Sequence, residues 1–153
     1  MEIVCKRFDE LTNGELYSIL KARSEVFALE QNIRYQDMDD LDFCSSHLFA
    51  KEGETLCSYL RVIDAGVKYT EISIGRLFTL PQFRGRGLSR RLMKIAIEMA
   101  ANLGIPVRIE AQAYLKDFYL SLGFRQISDE FILEGLPHVE MILDESSAIE
   151  ALP

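Results

Sequence analysis

Apolar positions along this chain change their spacing several times, and each change marks an element. Glu2–Phe8 reads as a first strand. Thr12-Asn13-Gly14-Glu15 then has the form of a capping box, in which Thr offers its oxygen and Glu reaches back. Leu16, Ile19, Leu20, Val26 and Phe27 follow at helical spacing, which predicts a helix to about Glu30. Gln31–Ser46 is irregular and acidic, carrying Asp37, Asp39, Asp40 and Asp42. Strand-like runs at His47–Lys51 and Leu56–Ile63 flank a Glu52-Gly53-Glu54 turn, and a third, Glu71–Leu80, stops at Pro81. A turn rich in Gly and Arg, Pro81–Gly87, leads into a helix over Leu88–Leu103. There Leu88, Leu92, Ile95, Ala96, Met99 and Leu103 share one face, and Gly104 ends it.

Beyond this helix the spacing predicts a strand at Ile105–Gln112 and a short helix at Tyr114–Leu122, stopped by Gly123. Two final strands, Phe124–Leu133 and His138–Leu143, are joined by Glu134-Gly135-Leu136-Pro137. The weakly patterned residues 144–153 are expected to fray. This order predicts a mixed α/β (α+β) fold, a mostly antiparallel mixed sheet with one βαβ crossover and flanking helices. We expect residues 1–143 to form a single domain, because 153 residues suffice for one proper core.

Composition narrows the function classes. Seventeen basic against twenty-four acidic side chains leave a net charge of −7, which repels a polyanion and argues against general nucleic-acid binding. The same field would concentrate cationic amines. No apolar run approaches a membrane span, and the first residues lack the apolar core of a signal peptide. Cys5, Cys44 and Cys57, with His47 and His138, lack the spacing of a metal site or disulfide framework. These readings lead us to expect a cytoplasmic protein without a metal.

The candidate chemistry begins at Arg84-Gly85-Arg86-Gly87-Leu88-Ser89. A glycine-rich loop between a strand and a helix offers backbone N–H groups at the positive end of the helix dipole, and Arg84 and Arg86 add charge. A bare Gly-Arg-Gly is more often a surface turn. The strand before it and the amphipathic helix after it favour a phosphate site.

Arg84-x-x-Gly87 after a strand and Pro81 resembles the pyrophosphate loop of the GNAT superfamily of N-acetyltransferases, with Ser89 where the family has Gly or Ala. Tyr119-Leu120-Ser121-Leu122-Gly123-Phe124 is similar to the family's Tyr-x-x-x-Gly-Phe, and Gln112 stands where Asn is frequent. Arg23-x-x-Val26-Phe27-x-x-Glu30-Gln31, Ile74-Gly75-Arg76, Ala111-Gln112-Ala113 and Pro137-His138 together resemble the ElaA-like branch, from about Leu16 to Leu143. Ile33-Arg34 departs from that branch's Cys-Pro, and Asp40 from its Gly.

The resemblance implies direct transfer from acetyl-CoA to an amine in one ternary complex. In that reading the backbone of Leu77, Phe78 and Thr79 serves the thioester oxygen and the pantetheine arm. The loop of Arg84, Gly85, Arg86, Gly87, Leu88 and Ser89, with Gln112, binds the rest of the cosubstrate. Tyr119 is the expected acid for the departing thiolate. For the base, His138, Glu110, Glu71 or a water chain remain open; imidazole has the best-suited ordinary titration range. The four aspartates are read as a solvated loop, with a cationic acceptor as the competing reading. Arg76 is read as structural, and Arg23 is left between structure and acceptor binding. Other acyl donors, an idle CoA-binding sensor and a protein-interaction module are the alternatives. A monomer and a homodimer both fit.

Overall fold

The computed structural model describes residues 1–145 and 147. Its strands are β1 (Glu2–Arg7), β2 (Ser45–Glu52), β3 (Thr55–Ile63), β4 (Ile72–Thr79), β5 (Val107–Gln112), β6 (Arg125–Gln126), β7 (Phe131–Leu133) and β8 (Leu136–Leu143). Its helices are α1 (Asn13–Arg23), α2 (Leu88–Leu103) and α3 (Lys116–Ser121). One sheet runs in the order β1-β2-β3-β4-β5-β8-β6, with β7 also paired to β8. All pairings are antiparallel except β4 with β5, which α2 connects as the crossover.

Apolar side chains leave both faces of this sheet, so it is covered twice. On one face Leu92, Met93, Ala96 and Ala100 of α2 meet Leu60, Ile74, Ile109 and Met141. On the other, Ile19 and Ala22 of α1, with Val26, meet Phe49, Tyr59 and Phe78. Each large apolar chain fully buried there contributes about 1.5–3 kcal/mol. The capping box forms as expected: Glu15 N–H donates to Thr12 Oγ1 at 3.1 Å, and Thr12 N–H to Glu15 Oε1 at 2.8 Å.

Three elements differ from the sequence reading. The first helix stays α only to Arg23; Ser24–Glu30 is a π-helical turn, whose wider winding lets Gln31 N–H reach back to Val26 O at 3.0 Å. The strand expected over Phe124–Leu133 is broken into β6 and β7. The joining loop shortens to Glu134-Gly135, because Leu133 already pairs with Leu136. Of the expected frayed tail, Asp144 and Ser147 are described and bond each other, Ser147 N–H donating to Asp144 Oδ1 at 3.0 Å. Residues 146 and 148–153 lie outside the described residues. Among those described, no helix is long and apolar enough to cross a membrane.

Candidate active site

The site starts from a sheet defect. β4 and β5 pair at only two positions, Ile72 with Val107 and Ser73 with Arg108. Beyond Ser73, no register pair joins the two strands, which leaves that edge of β4 without a strand partner. β4 also carries a bulge. Tyr59 pairs with Phe78 and Arg61 with Gly75, so Arg76 and Leu77 together face Leu60. Arg76 takes the left-handed φ of 54° at this point, a conformation costing a non-glycine residue about 1–2 kcal/mol.

A cavity of about 690 Å³ occupies this region, lined by Leu77 of β4, Glu110 and Gln112 of β5, Tyr119 of α3 and His138 of β8. Phe27 of the π-helical turn and Gln31 at its end also line it. The structure thus brings five of the sequence-predicted site residues into one cavity. Phe78 points instead into the core, against Phe27 and Tyr59, and Thr79 lies outside the lining.

The floor is an ion-pair network in which Arg76 is structural, as the sequence reading had it, and Arg23 takes the structural of its two open roles; the part of Arg61 was not read. Arg23, fully buried, donates from Nε to Asp37 Oδ2 at 2.8 Å and from Nη1 to Asp42 Oδ1 at 2.7 Å. Arg61, also buried, donates from Nη1 to Asp39 Oδ1 at 2.8 Å and to Asp42 Oδ1 at 3.1 Å. Arg76 Nε donates to Asp37 Oδ1 at 2.7 Å. Asp37, Asp39 and Asp42 are therefore bound by guanidinium groups, which corrects the reading of a solvated loop. Arg23 holds the acidic segment to α1.

Burial alone would raise the Asp39 carboxyl, but the hydrogen bonds and charge of Arg61 outweigh it and hold the group at about 2. Asp42 is lowered in the same way by Arg23 and Arg61 against its own burial. His47 Nε2 lies 3.0 Å from Asp42 O; a carbonyl only accepts, so Nε2 carries the proton and Nδ1 accepts from the Tyr59 hydroxyl at 2.7 Å. A signal was available: Arg61 interrupts the apolar run Leu60–Ile63, and a charge inside such a run demands a partner. Asp40, where the ElaA-like branch has Gly, sits at φ 66°, a conformation aspartate tolerates.

None of Arg84, Gly85, Arg86, Gly87, Leu88 and Ser89 of the glycine-rich loop lines the cavity. Gly87, at φ 73°, is the N-cap of α2, and Arg91 N–H is the group that bonds back to Gly87 O, at 3.0 Å. The N–H groups of Leu88, Ser89 and Arg90 are thus the open first turn of a sixteen-residue helix. The guanidinium of Arg84 forms a bidentate pair with Glu30, at 2.7 and 2.9 Å, and donates to Thr79 O. Arg86 lies over the Phe83 ring and 3.4 Å from Glu52. Ser89 Oγ bonds Thr79 Oγ1 at 2.8 Å, tying the loop to the end of β4. The free donors of this loop are backbone N–H groups more than side chains. Gly85 has φ 81° and, like Gly87, open space around its missing Cβ.

His138 is buried at the start of β8, with Nδ1 2.8 Å from Leu136 O. Nδ1 must therefore donate, which in the neutral ring leaves the lone pair on Nε2. Tyr119 packs edge-on against Phe118 and Phe124, and its burial pushes the phenol up to about 12. Glu110 accepts from the Tyr69 hydroxyl and pairs with Lys68 at 3.2 Å; despite partial burial, these partners lower its pKa and weaken it as a base. Glu71 pairs with Arg108 at 3.5 Å. Gln112 Nε2 donates to Gln31 Oε1 at 3.0 Å, linking β5 to the end of the π-helical turn, while its own Oε1 is buried without a partner among the described residues. Among the described residues, no group of three or more His, Cys, Asp or Glu side chains is placed to hold a metal ion.

Comparison with known proteins agrees with this architecture. Residues 22–145 match the acetyltransferase (GNAT) domain. An acyl-CoA N-acyltransferase from Pseudomonas aeruginosa is 35% identical, with 92% of this chain and 97% of that one covered, at a TM-score of 0.87. The ElaA structure from Escherichia coli is 30% identical over 93% and 99% of the two chains, at a TM-score of 0.85. In sequence, protein ElaA from Escherichia coli K12 is 32% identical over 86% of this chain and 89% of its own length. The chain belongs to the GNAT acetyltransferase superfamily, in its ElaA-like branch.

Proposed function

We propose that this protein transfers an acetyl group from acetyl-CoA to an amine, directly and without an acyl-enzyme. The observation that carries this reading is the meeting, in one cavity beside the unpaired edge of β4, of an imidazole whose Nε2 has no partner among the described residues and a phenol that keeps its proton. The residues present fit the cosubstrate. The first-turn N–H groups of α2 suit its diphosphate, and the open β4 edge beyond Ser73 suits its amide arm. When bound, it supplies an activated acyl carbon and a thiolate leaving group.

The protein's part is proton management and orientation. An alkyl amine is mostly protonated at neutral pH, so it must lose a proton before attack. His138 Nε2 is the acceptor for that proton, because Glu110 is already engaged with Tyr69 and Lys68. Backbone N–H groups of β4 near Leu77 stabilise the oxygen as the new C–N bond forms and the C–S bond breaks. Tyr119, at about 12, holds its proton too tightly to give it up fully to a thiolate, and donates a hydrogen bond to the sulfur instead.

Calorimetric titration with acetyl-CoA, alongside a turnover assay on an amine panel, tests this. One-to-one binding in the micromolar range, about −8 kcal/mol, is expected. Tyr119→Phe and His138→Gln should keep that binding while turnover falls by about 10²-fold or more. Absence of binding by the native chain would overturn the reading.

A further inference from the structure

The cavity walls carry many charges, and nearly all are matched. Arg23 pairs with Asp37 and Asp42, Arg61 with Asp39, Arg76 with Asp37, and Lys68 with Glu110. Glu134 is the exception: it lines the cavity, and no basic side chain lies within ion-pair distance of it among the described residues. Its position is defined by a tight hairpin. Leu133 pairs with Leu136, so Glu134 and Gly135 alone form the turn, with φ values of 52° and 79°. Both positive values belong to a type I′ turn, whose first position favours Asn, Asp or Gly. A glutamate there costs local stability and sets an unmatched carboxylate at the rim of the site.

That carboxylate is poorly suited to hold the reacting nitrogen itself. Stabilising the ammonium form would oppose the deprotonation that attack requires. Its charge is productive toward a second cation on the same acceptor. We propose that Glu134 docks this second cationic group, so that the acceptors of the site are diamines, and amines carrying a comparable distal cation. The inference rests on the acetyl-transfer reading above. His138 lies opposite Phe131, two residues inward from the pair that closes the turn. Strand rise therefore puts the backbones of Glu134 and His138 about 6–10 Å apart, the scale of an extended diamine of about four to seven carbons.

The test measures acetyl-CoA consumption with α,ω-diamines and with monoamines of matched length, in the native chain and in three variants. Glu134→Gln removes the charge. Glu134→Asn removes it while supplying the residue this turn favours, so loss of fold cannot explain the result. Glu130→Gln, on an exposed side chain outside the cavity, is the control. The native protein and the control should prefer diamines by at least about tenfold in kcat/KM, with the optimum at intermediate length. Both Glu134 variants should lose that preference through a raised KM for diamines. Equal use of monoamines and diamines, or a preference that survives in both variants, overturns the docking role while leaving acetyl transfer intact. Transfer to no amine at all overturns the reading on which it rests, and this inference with it.

Discussion

Arg23 and Arg61 lie beneath the cavity, and Arg84 and Arg86 lie in the loop at the head of α2; the same side chain does different work in the two places. The first two are buried, and each is bound to two carboxylates. The loop pair is about half exposed and meets single carboxylates at the surface. A buried charge is fixed by its partners, because leaving it unpaired is costly; an exposed one trades its partner for water at little loss. Charge in a turn therefore drew attention to the loop, while the arginines with the larger structural consequence were in apolar elements.

The sharpest way to break this contrast is to remove one guanidinium from each place. Arg23→Met should strip Asp37 and Asp42 of a buried partner and lower unfolding stability by about 3–5 kcal/mol in a urea titration. Arg84→Ala should change it by less than about 1 kcal/mol, since its pair is solvent-screened. Equal losses would dissolve the distinction.

Acid should act on the same network. Asp39 is held at about 2 in the folded protein, below the ordinary carboxylate value of about 3.9. A depressed carboxyl stabilises the fold fully above its unfolded pKa, and that contribution is lost as pH falls toward the folded one. Thermal melts should therefore show native stability falling between about pH 4 and pH 2. Asp39→Asn should flatten part of that slope.

The smallest effect is expected at the loop. A double Arg84→Ala, Arg86→Ala variant should weaken acetyl-CoA binding by about tenfold or less, because the helix N–H groups remain. Loss of all measurable binding would return the leading role to the side chains.

Locally encoded features were legible in the sequence. The capping box at Thr12–Glu15, the stripe from Leu88 to Leu103 and its arrest at Gly104 all arise from neighbours a few residues apart. The Arg84–Ser89 loop could be read because its strand and helix context is contiguous. The features that escaped are non-local. Arg61 meets Asp39 across 22 positions and Arg76 meets Asp37 across 39, so neither pairing leaves a periodic trace. The break between β6 and β7 was hidden for a related reason, since pairing with β8 decides it rather than the composition of residues 124–133. The cavity residues Tyr119, Gln112 and His138 were found through motif resemblance, and Gln31 stood in the Arg23–Gln31 pattern without an assigned role; Glu134 had no motif to mark its place on the wall.

The π-helical turn at Ser24–Glu30 has a consequence for how this scaffold can diversify. Its wide winding uses more chain per turn than an α-helix. Deleting a single residue there, for instance Ala28, would let the segment rewind as α with the chain beyond it nearly in place, whereas rewinding all seven residues as α would swing that chain by roughly 100–130° about the helix axis. Gln31 would leave the wall of the cavity, and the acidic segment would be re-aimed. Such a rotation would give a different substrate repertoire without one substitution among the residues that touch the substrate, so the winding of this turn, more than its length, is an evolutionary tuning peg.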